Sequence, residues 1–195
     1  MATDMAGLVV SHWLDGKGSG STCCSRKSAR VFRSVMSDSI VTIYSDGACL
    51  GNPGPGGYGT VMLFGEHQKE LSQGYRNTTN NRMELLGAIV GLEALSRQCS
   101  VDLWSDSTYV VHAMSKGWIE GWQKRGWKTS SKQPVKNKDL WVRMLEAISD
   151  HEIRWHWVKG HSGDPMNERC DELAVLAANA PELLIDAGFP EEAGR

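Results

Sequence analysis

Two short apolar runs rich in β-branched residues, Ile40-Val41-Thr42-Ile43-Tyr44-Ser45 and Val101 to Ser105, each stop at an aspartate, Asp46 and Asp106. Runs of this length and composition read as strands. The chain must therefore build a sheet in which two strands leave the core at an acid. Tyr58 to Phe64 and Glu70 to Arg76 read as further strands joined by a turn at Gly65, and the Gly/Pro-dense stretch Gly51 to Gly57 reads as the turn before them. Short gaps between three strands predict an antiparallel meander. Leu85, Ala88, Ile89, Leu92 and Leu95 recur at three and four residues and predict a helix over Asn80–Arg97. Helices are also predicted over Ser107–Ser115, Asp139–Asp150 and Asn167–Ala180, and a last strand over Ile153–Val158. The order of elements predicts an α/β fold, a mixed sheet with helices packed on its faces.

The chain has 195 residues, enough for one globular domain and a tail. Apolar residues make up 41%, which supports a real core. The longest apolar runs are only a few residues, such as Val61 to Phe64, whereas a spanning helix needs about 20. There are 21 basic and 23 acidic side chains, a net charge of −2, which excludes a globally basic nucleic-acid binder but not a local basic patch. Five cysteines, Cys23, Cys24, Cys49, Cys99 and Cys170, form no C-x-x-C pair. They read as free thiols in a reducing compartment, and with no export signal visible the expected location is the cytoplasm. A monomer is expected. Residues 1–38, with the linker-like Gly16 to Thr22, read as a disordered extension, 39–180 as the folded domain and 181–195 as an acidic tail.

Asp46, Glu84, Asp106 and Asp171 fall at strand ends and near helix starts in this reading. Singly, each has an ordinary explanation as a turn residue, a cap or a helix-dipole partner. If the first and fourth strands are parallel neighbours, Asp46 and Asp106 come side by side, and a right-handed crossover lets Glu84 face them. Carboxylates packed together repel unless a cation neutralises them, and hard oxygen donors select Mg²⁺ or Mn²⁺ over zinc. Two such ions, about 3.5–4 Å apart, suit in-line phosphoryl chemistry.

The surrounding motifs are specific. Asp46-Gly47-Ala48-Cys49 through Tyr58-Gly59, Thr78-Thr79-Asn80-Asn81-Arg82-Met83-Glu84-Leu85, Ser105-Asp106-Ser107, Trp157-Val158-Lys159-Gly160-His161-Ser162-Gly163 and Asn167 to Ala174 resemble, in order, type 1 ribonuclease H, the bacterial ribonuclease HI group. The resemblance runs from about Ile40 to about Ala180. It implies a ribonuclease H-like fold with a five-stranded mixed sheet, strands one to three antiparallel. It implies an endonuclease that cleaves the RNA strand of RNA–DNA hybrids and leaves 3′-hydroxyl and 5′-phosphate ends. It makes Asp46, Glu84, Asp106 and Asp171 the metal-binding catalytic acids and His161 the mobile-loop histidine. Cys49, Asn52, Thr79, Asn80 and Asn81 match positions that touch sugar and phosphate. Thr108 stands where many bacterial members carry glutamine, and Asp164 where histidine is common.

Residues 116–138 hold seven basic side chains against one acid, Glu120, a local charge of +6. Trp118, Trp122 and Trp127 are interleaved with Lys124, Arg125 and Lys128. A basic, aromatic segment suits a phosphate backbone, and it also reads as a solvated face anchored by tryptophans. In the family this region is a basic protrusion that grips the hybrid, and Trp118 matches an aromatic position near the DNA strand. Two rivals are a hybrid-binding protein without catalysis and a polynucleotidyl transferase. The intact acids argue against the first. The basic segment and the Asn80–Glu84 block argue against the second.

Overall fold

The computed structural model describes residues 40–189, so the extension expected over 1–38 and the end of the chain beyond Phe189 lie outside the described residues. The elements run β1 (Ile40–Cys49), β2 (Gly54–Phe64), β3 (His67–Thr78), α1 (Asn80–Glu93), β4 (Ser100–Ser105), α2 (Thr108–Ser115), α3 (Trp118–Lys124), α4 (Lys138–Ile148), β5 (Glu152–Trp157) and α5 (Pro165–Ala178). The sheet order is β3-β2-β1-β4-β5. β1, β2 and β3 pair antiparallel, while β4 pairs parallel with both β1 and β5. The five-stranded mixed sheet and its antiparallel meander are as the sequence predicts.

Alternation along the strands sends Val41, Ile43, Val101 and Leu103 into the main core, where they meet Leu85, Ile89 and Leu92 of α1 and Trp141 and Met144 of α4. The opposite face carries a smaller cluster, Val61, Cys170 and Leu173, beneath α5. Burial of such side chains contributes about 1.5–3 kcal/mol each and holds the helices against the sheet.

Three boundaries differ from the sequence reading. β1 continues through Asp46 to Cys49, because Asp46 pairs with Gly59 and Cys49 with Gly56. The last glycines read as a turn belong to β2: a side chain at Gly57 would sit 2.7 Å from the Ala174 carbonyl and 2.8 Å from the Ala177 Cβ, so glycine here admits the α5 backbone. Residues 181–189, read as the start of a tail, pack on the domain. Leu184 bridges Tyr75 in parallel, with its N–H donating to the Gly74 carbonyl at 3.0 Å and its carbonyl accepting from Arg76 N at 2.9 Å. This covers part of the exposed edge of β3. Among the described residues no helix is long and apolar enough to cross a membrane.

Candidate active site

The parallel pairing of β1 with β4 brings the two strand aspartates toward one end of the sheet. Asp46 lies inside β1 and is 7% exposed, and its Oδ1 accepts from Gly47 N at 2.7 Å. Gly47 explains why the acid can be followed closely by another element. A side chain there would overlap the backbone of Met83 and Glu84, so the first turn of α1 lies flat against β1. That approach delivers Glu84 to the cleft. Both of its oxygens are held: Asn80 Nδ2 donates to Oε1 at 2.9 Å and Ser107 Oγ donates to Oε2 at 2.5 Å. Ser107 also caps α2, accepting from Val110 N.

Asp106 follows β4 directly, and it is fixed by neighbours the motif reading passed over. Trp157 Nε1 donates to its backbone carbonyl at 3.0 Å. Asn167 Nδ2 donates to Oδ2 at 3.4 Å, while the Asn167 side chain is 2% exposed and its Oδ1 has no partner. Asp171 lies in the second turn of α5, and His161 Nδ1 stands 4.0 Å from its Oδ2. His161 itself is 81% exposed, at a positive φ of 51° between Gly160 and Gly163. Asp164, read as an acidic departure in the loop, is the N-cap of α5: its carboxylate accepts from Met166 N and Asn167 N at 3.0 and 3.1 Å, and Pro165 follows it.

The acids act on one another through charge. Burial, chiefly, and then the Asp106 charge push the Asp46 carboxyl up to about 8, with Asp171 and Glu84 adding to the shift and the Gly47 N–H opposing it. Burial raises Glu84 as well, with Asp106 adding and the Ser107 and Asn80 hydrogen bonds opposing. Among the described residues no three acid, histidine or cysteine side chains are drawn into a ready ligand cage. The cluster is an uncompensated negative cleft made of hard oxygen donors, with one orphaned buried amide oxygen beside it. Those features fit a hydrated divalent cation completed by substrate oxygens.

The candidate substrate contacts fall on two surfaces. Asn52, Thr79, Asn81, Arg82, Lys136 and Phe189 line a cleft of about 400 Å³. Asn80 belongs to this side through its N–H, which donates to Asn52 Oδ1 at 3.4 Å. The half-buried Cys49 thiol is turned to the Gly54 and Thr78 carbonyls at 3.6 and 3.5 Å. Thr108 is exposed at the start of α2. Trp118 is 40% exposed and, with Trp122 and Arg125, lines a second cleft of about 350 Å³. Lys124, Arg125 and Lys128 are exposed around it, with Arg125 Nε on the Lys128 carbonyl at 3.1 Å. The basic segment contains a helix, α3, that the sequence reading left without a secondary structure. It is tied down by Trp122 packed edge-on to the buried Trp141 at 5.5 Å. Gly117 precedes α3 at a φ of +70°, a left-handed conformation that glycine adopts without strain.

The RNase H family model matches residues 38–179. The chain belongs to the ribonuclease H family. A Ribonuclease H of Pseudoalteromonas atlantica is 60% identical over 149 residues, 76% of this chain and 97% of that one. A Ribonuclease H of Cronobacter sakazakii is 59% identical over 153 residues, 78% of this chain and 96% of that one. Among solved structures, LC9-RNase H1, a type 1 RNase H with the type 2 active-site motif, superposes with a TM-score of 0.65 at 34% identity, covering 72% of each chain. LC11-RNase H1, solved in complex with an RNA/DNA hybrid, superposes with a TM-score of 0.54 at 25% identity over 71% of this chain and 96% of that one. This ribonuclease H is therefore a hydrolase of type 1, with the α/β fold that the resemblance implies.

Proposed function

We propose that this ribonuclease H is an endonuclease that hydrolyses the RNA strand of RNA–DNA hybrids with divalent metal, leaving 5′-phosphate and 3′-hydroxyl ends. The observation that carries the reading is the placement of Asp46 and Asp106 on parallel neighbouring strands with Glu84 packed against β1, where burial and the surrounding acids push the Asp46 carboxyl up to about 8. A protein gains nothing in stability from such a site, and a cation removes the repulsion. Asp46 and Asp171 would hold one ion beside the scissile phosphate, and Asp46, Glu84 and Asp106 the other. Mg²⁺ is the expected metal and Mn²⁺ a substitute. When bound, such ions lower the pKa of water and stabilise charge on the oxygen that leaves.

The chain's own groups orient the reactants. Ser107 and Asn80 fix both oxygens of Glu84. His161, exposed and beside Asp171, is placed to take or return a proton as the product departs. Cys49, Asn52, Thr79, Asn80, Asn81 and Thr108 would read sugar and phosphate, and the 2′-hydroxyl among these distinguishes RNA from DNA. Trp118, Lys124, Arg125 and Lys128 would hold the strand beyond the cleft by its backbone, so sequence preference is slight. The free thiols Cys49, Cys99 and Cys170 fit a cytoplasmic enzyme, and we take it as a monomer.

The test is incubation with end-labelled hybrid, RNA duplex and DNA duplex, with and without Mg²⁺. Cutting confined to the hybrid's RNA strand, dependent on Mg²⁺ and leaving a 5′-phosphate, supports the reading. Binding without cutting, or strand transfer to DNA, overturns it.

A further inference from the structure

Residues 183–189 close over the start of α1 through one buried cluster. Arg82, in the first turn of α1, is 2% exposed. Its Nε and Nη2 donate to Asp186 Oδ2 and Oδ1 at 2.7 and 2.8 Å. Its Nη1 and Nη2 donate to Asp139 Oδ1 and Oδ2 at 3.0 and 2.7 Å. Asp186, 8% exposed, accepts in addition from Thr78 Oγ1 at 2.7 Å. One carboxylate thus grips the chain immediately before and immediately after Thr79-Asn80-Asn81.

Within that triplet Asn80 has partners of its own, its N–H on Asn52 Oδ1 and its Nδ2 on Glu84 Oε1. Thr79 is the N-cap of α1, yet its side chain makes no capping bond, and the first turn carries no acid. Such a helix start lacks the order that a side-chain cap provides. Here a further restraint comes from the terminal segment, whose Asp186 accepts from Thr78 and Arg82 on either side of the triplet. Thr79 and Asn81 are left lining the cleft of about 400 Å³, whose far wall includes Phe189 of the same terminal segment.

We propose that Asp186 is a positioning residue for substrate binding: by clamping Thr78 and Arg82 it holds Thr79, Asn80 and Asn81 in the arrangement that meets the nucleic-acid backbone. The inference rests on the proposed reading of this cleft as a hybrid-binding surface. Gly188 offers an independent handle. A side chain there would run into the Asp139 carboxylate and the Arg82 guanidinium, so Gly188→Ala prises the clamp apart without changing a charge.

The experiment compares the full chain with Asp186→Asn, Asp186→Glu and Gly188→Ala, reading hybrid binding by fluorescence polarisation, KM and kcat for hybrid cleavage, and the unfolding midpoint. Leu92→Ala, at a fully buried side chain in the last turn of α1, serves as a control for lost stability alone. We expect KM and Kd to rise roughly 5- to 10-fold in Asp186→Asn and Gly188→Ala, the scale of one lost charge-assisted hydrogen bond, with kcat within about twofold. Asp186→Glu recovers part of the affinity, and Leu92→Ala lowers the midpoint with KM unchanged. Should Asp186→Asn fail to fold, Gly188→Ala and Asp186→Glu carry the same readout. If KM and Kd stay at the wild-type value in the folded variants, the clamp is only a stabilising one and the proposal falls. If the wild-type chain neither binds nor cuts the hybrid, the functional reading beneath it falls instead.

Discussion

The acid cleft and the basic segment are charged in opposite senses and handle that charge by opposite means. Asp46 and Glu84 are withdrawn from water and pressed toward like charge, so the cleft is unfavourable as it stands. Lys124, Arg125 and Lys128 stay in solvent, while Ile119, Val135 and the Trp122 ring packed on Trp141 commit the segment to the fold. Buried like charges make a site that responds to metal and pH and is barely screened by salt. Exposed charges make a surface whose grip depends on ionic strength and hardly on pH below the lysine range. The first is suited to chemistry at one phosphorus, the second to holding a backbone of any sequence.

The sharpest way to break this division is Asp106→Asn. The account expects turnover to drop by about 10³-fold or more, on the scale of losing a group that acts within a unit, while hybrid affinity in the absence of metal stays near wild type. Loss of binding with only modest loss of turnover would put Asp106 on the wrong side of the comparison. Next in size is the triple substitution Lys124→Ala, Arg125→Ala, Lys128→Ala. It should weaken binding and make the slope of log K against log salt shallower by about 2–3, with the rate at saturation nearly kept. An unchanged salt slope would mean these side chains never reach phosphate. Smallest is Asp164→Ala, which removes the cap of α5 and with it about 1 kcal/mol of stability, read as a lower midpoint in urea. A loss confined to activity, with stability intact, would assign Asp164 to the cleft rather than to the helix end.

The parts of the molecule that could be read from sequence are those whose cause is local. The strand that stops before Asp106 and the helix carrying Glu84 follow from periodicity, and the parallel pairing of β1 with β4, posed as a condition from chain order, is present, whereas β1 runs on past Asp46 to Cys49. The parts that could not be read depend on distant partners. Gly54 to Gly57 has turn composition, and it becomes strand through pairing with β1 and β3, with Gly57 admitting the α5 backbone. α3 is seven residues long, too short for a helical period to stand out, and it is placed by Trp141 far along the chain. Asp186 sits in a stretch that composition assigns to solvent, and it is buried because Arg82, 104 residues earlier, is there to meet it. Asn167 lay within a recognised motif, but its role beside Asp106 needs β4 and α5 to be packed together before it is visible.

The central claim is that the acids form an unfavourable cluster that a divalent cation relieves. It is tested most directly by unfolding the wild-type chain and Asp46→Asn across pH, once with chelator and once with Mg²⁺. A carboxyl raised from 3.8 to about 8 keeps its proton in the folded state after the unfolded chain has lost it. Folding therefore binds a proton in that window, and the contribution of this carboxyl to stability is greatest below its unfolded value and falls as pH rises toward 8. With chelator, the wild-type chain should lose stability relative to Asp46→Asn between about pH 4 and 8, and Mg²⁺ should restore it in the wild type far more than in the variant. A difference between the two chains that ignores both pH and Mg²⁺ would contradict the account.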